Sequence, residues 1–232
     1  MDYLTLVMIV SAIVCVLLVW FMLKPYRVTR ETRYLGLPLG FAFLSLSYVL
    51  KASTSYIESI WFFSGEVEWL PLFAQTYAFS FLAVTYFFSN KPSKYSRLRW
   101  NLAYAGIALV AVISFLVVIE PLMFGLPSYY KAHQYFHAFN IVPLAYISIH
   151  TLRSHTLKPD PKTIWTPLSY LLIGFGQYSA LIWSIDSSLT AYVGAEFLRL
   201  AGLLVLLFVS YQTFYSAQKL PKESSDYEED SP

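Results

Sequence analysis

Apolar segments alternate with short polar stretches along nearly the whole chain. Seven of these segments are long enough to cross a bilayer: residues 3–23, 35–57, 69–89, 101–119, 135–152, 166–185 and 190–214. A helix of about 20 mostly apolar residues spans the hydrocarbon core. The pattern therefore predicts an all-α membrane protein, a seven-transmembrane-helix bundle that occupies residues 1–218.

Composition agrees with a membrane protein. Only 13% of the 232 residues are charged and 57% are hydrophobic, whereas soluble domains contain about 25% charged residues. The net charge of +2 does not indicate a nucleic-acid partner. Asp2 replaces the basic start of a signal peptide and no cleavage site follows residues 3–23, so this segment is predicted to be a retained first helix. We expect a multi-pass protein of the cell membrane, with the lipid bilayer as its partner.

Basic residues are concentrated in alternate loops, and this pattern predicts orientation. Short loops rich in Lys and Arg stay in the cytoplasm, so the N-terminus is predicted outside and the C-terminus inside. Residues 219–232 are predicted to form an acidic, disordered cytoplasmic tail. The basic loops carry Lys24, Arg27, Arg30 and Arg33, then Lys91, Lys94, Arg97 and Arg99, then Arg153, Lys158 and Lys162. The alternate loops carry Lys131 with Glu58, Glu66, Glu68, Glu120 and Asp186.

Two similar segments suggest an internal repeat. "PLGFAFLSLSYVL" begins at Pro38 and "PLSYLLIGFGQYS" begins at Pro167, which is 129 residues later. Lys24 and Arg153, at the start of the preceding loops, have the same separation. A 3+1+3 arrangement of parallel three-helix units follows, which resembles opsins and small parallel-repeat sugar transporters. The alternative is a chance similarity between two apolar helices that begin with Pro.

The last apolar segment, "GAEFLRLAGLLVLLFVSY", contains Glu196 and Arg199 on one helical face. A charged side chain near the bilayer centre costs about 3 kcal/mol or more. Lys51 is predicted near the outer end of the second helix, which neighbours the seventh in an opsin-like ring. Glu196 is then placed to bridge Lys51 and Arg199 in an outward-facing polar cluster that binds a ligand. The alternative is an intrahelical Glu196–Arg199 pair, with Lys51 extended to the membrane surface.

Seven helices, an outside N-terminus and a polar residue part-way along the last helix resemble a microbial opsin. In "EFLRLAGLLVLL", Arg199 stands about where opsins carry the Lys that binds retinal. The guanidinium of Arg199 stays protonated and cannot form a Schiff base, and the third helix, with Gln75, has no clear counter-ion. Retinal is therefore not expected. The topology also resembles the seven-helix sensor regions that precede prokaryotic signalling kinases.

Two histidines form the candidate metal site. His133 and His137 are four residues apart and share a helical face. Neutral imidazoles at this spacing can chelate a divalent metal, with Glu120 or Asp186 as a third ligand. The alternative is a pair of histidines at the membrane interface, and a resident metal is not the expectation.

Haem and catalytic chemistry are not expected either. His137 and His150 have a spacing that resembles transmembrane b-haem ligands, but the other available histidine, His155, is predicted in a cytoplasmic loop. The sequence contains no Gly-x-Ser-x-Gly, His-Glu-x-x-His or glycine-rich phosphate-binding motif. We expect a non-catalytic sensor or receptor-like module without a cofactor. The alternatives are an accessory subunit with membrane-protein partners and a small-solute transporter.

Overall fold

Seven α-helices make up almost all of the chain that the structure, a computed structural model, describes. The described residues are 3–29, 32–60, 68–89, 93–119, 129–157, 159 and 163–216. A single 3₁₀ turn, Thr32–Leu35, precedes α2. The α-helices are α1 (Tyr3–Thr29), α2 (Gly36–Ile60), α3 (Trp69–Ser89), α4 (Ser93–Ile119), α5 (Tyr129–Leu157), α6 (Trp165–Asp186) and α7 (Leu189–Ser216). The predicted tail, residues 219–232, lies outside the described residues.

Within the described residues, six of the seven helices are long and apolar enough to cross a membrane. The chain thus has the helices of a multi-pass membrane protein, and the all-α prediction is confirmed. The exception is α5, which is 29 residues long. Its first half carries His133, Gln134, His137 and Asn140, and these polar side chains lower its hydropathy. The prediction of apolar spans is therefore confirmed for α1, α2, α3, α4, α6 and α7.

Several helices continue beyond their apolar segments. Arg27, Arg99 and Arg153, which the sequence places in loops, lie within α1, α4 and α5. His155 is also in the last turn of α5 rather than in a loop, and its Nδ1 is 2.6 Å from Oγ1 of Thr163. A helix satisfies its backbone hydrogen bonds internally in lipid and in water. It therefore need not end where its apolar residues end.

Six helices form a closed ring, and α4 lies outside it. Around the ring, each helix packs against the next in the order α1, α2, α3, α5, α6, α7, and α7 packs against α1. Among the described helices, α1 thus separates α2 from α7, which corrects the expectation that the second and seventh helices are neighbours. α4 packs mainly against α3. Its outer side presents exposed Leu102, Leu109, Val112, Ile113 and Leu116.

The ring interior contains one apolar core to which all six ring helices contribute. Its fully buried side chains include Cys15 and Leu18 of α1, Phe41 and Leu44 of α2, Phe79 and Leu82 of α3, Leu144 and Ile147 of α5, Tyr170 and Ile173 of α6, and Leu203 and Leu206 of α7. On α5, Leu144 follows His137 by seven residues, which is about two helical turns. The apolar core and the polar residues therefore occupy successive levels of the same interior.

Candidate functional site: a buried polar cluster

Charged and polar side chains from four helices meet inside the ring. We call them the polar cluster: Lys51 of α2, His133 and His137 of α5, Gln177 of α6, and Glu196 and Arg199 of α7. All are buried except Lys51, whose side chain is 25% exposed. In the ring, α1 lies between α2 and α7. The contact between Lys51 of α2 and Glu196 of α7 therefore crosses the ring interior.

Glu196 lies between two cations. Its Oε1 accepts hydrogen bonds from Nζ of Lys51 at 2.7 Å and from Nη1 of Arg199 at 2.9 Å. The side chains of Glu196 and Arg199 are each only 1% exposed. Charges withdrawn from water in this way need direct partners, since an unpaired buried charge is strongly destabilising. Glu196 thus bridges Lys51 and Arg199, rather than pairing with Arg199 alone while Lys51 extends to the surface.

Gln177 connects the charged residues to the histidines. Its Oε1 accepts from Nη2 of Arg199 at 3.2 Å and lies 2.9 Å from Nδ1 of His137. An amide oxygen only accepts, so these partners assign the proton of His137 to Nδ1. In the neutral ring, Nε2 of His137 is then an acceptor. It lies 2.8 Å from Nε2 of His133, which acts as the donor. A continuous hydrogen-bonded chain thus runs from Lys51 to His133.

An aromatic pair links the two ends of this chain. The ring of His133 meets Trp183 edge-to-face with centroids 5.3 Å apart, and Trp183 packs against Tyr192 at 4.7 Å. Nζ of Lys51 lies 5.9 Å from the centroid of the Tyr192 ring, within the range of a cation–π contact. Trp183 therefore lies against His133, and Tyr192 lies against Lys51.

Several buried polar atoms here have no hydrogen-bond partner in the described part of the chain. They are Oε2 of Glu196, Nε of Arg199, Nε2 of Gln177 and both amide atoms of Asn140. Asn140 is fully buried and follows His137 by three residues, so it shares that face of α5. Each such atom costs about 1–3 kcal/mol. These atoms are concentrated in the polar cluster and on the adjoining face of α5.

The candidate metal site at His133 and His137 stays an untested alternative. The Nε2 atoms of His133 and His137 face each other, but tetrahedral binding at about 2.0–2.1 Å separates two nitrogens by about 3.3 Å. The two rings would therefore have to move apart. Within the described ranges, no group of three His, Cys, Asp or Glu side chains suits a metal. Asp186 is exposed at the end of α6, and Glu120 lies outside the described residues.

Sequence reasoning missed Gln177 and Asn140. Gln177 is the single amide of the apolar helix α6, and a polar residue in such a helix is itself a signal. Asn140 lies in the polar first half of α5, where it stands out less. No protein-family model matches the chain, nor does any curated protein or solved structure.

Proposed function

We propose that the protein is a non-catalytic, multi-pass protein of the cell membrane, a sensor or receptor-like module that binds a small polar solute at the polar cluster. The observation that carries this proposal is the set of buried atoms on Glu196, Arg199 and Gln177 that have no partner within the described ranges. They include donors and an acceptor, so they suit a ligand that forms hydrogen bonds. In this proposal the solute enters past Lys51, whose side chain is 25% exposed.

In this proposal, α5 crosses the membrane with the other six helices. Its length and its place between α3 and α6 in the ring support this assignment. Its buried polar residues, His133, His137 and Asn140, need not face lipid. Polar residues within membrane-spanning helices commonly face the bundle interior. The N-terminus is outside, and the polar cluster opens outward.

We predict that a short epitope tag placed after Pro232 is inaccessible to antibody in intact cells and becomes accessible on permeabilisation. The reason is the concentration of Lys and Arg in alternate loops. A tag placed before Met1 serves as the matched control and should label without permeabilisation. Labelling of the C-terminal tag in intact cells would reverse the proposed orientation.

We predict that at least one small polar solute raises the melting temperature of the purified protein in nanodiscs, with saturation. Anionic, cationic, zwitterionic and neutral solutes are tested in separate series. Gln177→Leu should abolish the shift, because it removes the amide that links Arg199 to His137. The control Gln212→Leu makes the same change in α7, 13 residues beyond Arg199, and should retain the shift. If no solute gives a saturable shift that depends on Gln177, the binding proposal is wrong.

Purification also addresses the subunit alternative. If the chain purifies in mild detergent only as a stoichiometric complex with another membrane protein, the accessory-subunit function is favoured. The exposed outer side of α4, including Leu109 and Ile113, is where such a partner would bind.

A small-solute transporter is a second candidate, and it is favoured by the relation between the two halves. The ring order is α1, α2, α3, α5, α6, α7, and α4 lies outside. If α5 replaces α1, α6 replaces α2 and α7 replaces α3, and the reverse, the same helices remain neighbours. The separation of 129 residues also relates buried positions. It pairs the buried residues Met8, Ser11, Cys15 and Leu18 of α1 with the buried residues His137, Asn140, Leu144 and Ile147 of α5.

Two surface grooves support the same repeat. One lies between α1 and α2, and the other lies between α5 and α6. Ala12, Val16, Ser45 and Val49 in the first groove correspond at 129 residues to Ile141, Ala145, Gly174 and Tyr178 in the second. The proposed architecture therefore includes the 3+1+3 repeat. Accumulation of a bound solute inside proteoliposomes would favour transport, whereas binding without flux would favour the sensor.

A further inference from the structure

The polar cluster carries more positive than negative charge. Lys51 and Arg199 are cations, and among the described residues Glu196 is the one carboxylate that contacts them. With neutral histidines, the cluster has an excess of one positive charge. Such an excess is costly within a membrane-spanning bundle, where buried charges are usually paired. A ligand with one negative charge would remove it, whereas a neutral ligand would not.

The arrangement of donors indicates where a negative group would bind. Arg199 directs Nη1 to Glu196 and Nη2 to Gln177. The Nε–H of a guanidinium points away from Nη1, so this donor is turned away from the Glu196 carboxylate. Nε of Arg199 and Nε2 of Gln177 are both buried, and neither has a hydrogen-bond partner among the residues that the structure describes. Two N–H donors beside a positive charge form charge-assisted hydrogen bonds with an anion.

Position favours a compact anion. Arg199 and Gln177 are fully buried, and Lys51 is the member of the polar cluster nearest to solvent. An anion that enters past Lys51 is attracted first by the Lys51 ammonium group and then by the Arg199 guanidinium group. Oε2 of Glu196 repels an anion on its own side, so the binding position lies toward the amide of Gln177.

From these contacts we infer that the polar cluster binds a compact monovalent anion, a halide or a small carboxylate, at Nε of Arg199 and Nε2 of Gln177. This inference rests on the proposed solute-binding function and assigns the chemical class of the solute. Halides and carboxylates share the required charge and hydrogen-bond acceptance, and separate titrations distinguish them.

The test uses the full chain in nanodiscs, titrated with sodium bromide or with sodium acetate. Ionic strength is held constant with the sodium salt of a bulky sulfonate. At least one of the two anions should raise the melting temperature with saturation. Lys51→Met removes the excess positive charge, so the half-saturating concentration should rise about tenfold or more. Glu196→Gln adds positive charge and should lower it.

The double variant Lys51→Met with Glu196→Gln restores the original net charge. Its half-saturating concentration should return to within about threefold of the unaltered protein, since electrostatic attraction depends on the summed charge. This variant also keeps the test decisive if Glu196→Gln alone does not fold. A shift in the same direction for Lys51→Met and Glu196→Gln would overturn the inference.

The solute series separates this inference from the proposed function. If neutral or zwitterionic solutes give a shift that depends on Gln177 and neither anion does, the anion inference is wrong and the solute-binding proposal stands. If no solute of any class binds, both are wrong.

Discussion

Replacing Glu196 by alanine is expected to destabilise the protein by about 3–5 kcal/mol, because it leaves buried charge without a partner. The Glu196 carboxylate accepts hydrogen bonds from both Lys51 and Arg199. Lys51 is partly exposed and can reach water, but Arg199 is fully buried. The loss is measured as the free energy of unfolding in mixed micelles.

The double change Glu196→Ala with Arg199→Leu should destabilise the protein less than Glu196→Ala alone. It removes the stranded guanidinium and replaces it with an apolar side chain. The coupling between the two sites should be about 1 kcal/mol or more in a double-mutant cycle. Asp186→Ala removes an exposed carboxylate from the end of α6 and should change stability by less than about 0.5 kcal/mol. Simple additivity of the two changes would show that Glu196 and Arg199 do not act as a unit.

Gly202→Ala should destabilise the protein by about 1–3 kcal/mol through overpacking. A Cβ at Gly202 would stand 2.6 Å from the backbone oxygen of Ser169 and 2.7 Å from Cγ1 of Ile173. Because a backbone oxygen cannot turn aside, α6 and α7 would have to separate. The same unfolding measurement detects the loss.

Gly106→Ala provides the matched control for Gly202→Ala. Gly106 lies within α4, and a Cβ there meets nothing within 4 Å. Ala is the better helix former by about 1 kcal/mol, so this change should be neutral or stabilising. If Gly202→Ala proves equally harmless, α6 and α7 are not in close contact at this position.

Close contact between α6 and α7 also positions the polar cluster. A Cβ at Gly176 would stand 2.6 Å from Cγ of Arg199 and 2.9 Å from the backbone oxygen of Ala195. The missing side chain leaves room for Arg199 to lie along α6 and reach Gln177. Small residues permit such close approach between membrane helices. Helix packing and the arrangement of the donors therefore depend on the same glycine.

The sequence by itself determined the helices. In lipid, a chain must satisfy its backbone hydrogen bonds internally. A long apolar segment does so by forming a helix, in which every bond lies within the segment. All seven predicted segments are accordingly helical among the described residues, and six of the helices are long and apolar enough to cross a membrane. The charges of Lys51, Glu196 and Arg199 were also evident, because charged residues in apolar helices are rare and expensive. Orientation and the internal repeat stay predictions.

The tertiary structure decided which helices meet. An apolar side chain that faces lipid resembles one that faces another helix, and hydrophobicity gives membrane helices little preference between the two. The sequence therefore did not indicate that α1 separates α2 from α7, or that α4 lies outside the ring. Gln177 acquires its importance from the same packing. It becomes the link between Arg199 and His137 because α5, α6 and α7 bring three separate stretches of chain within hydrogen-bond distance.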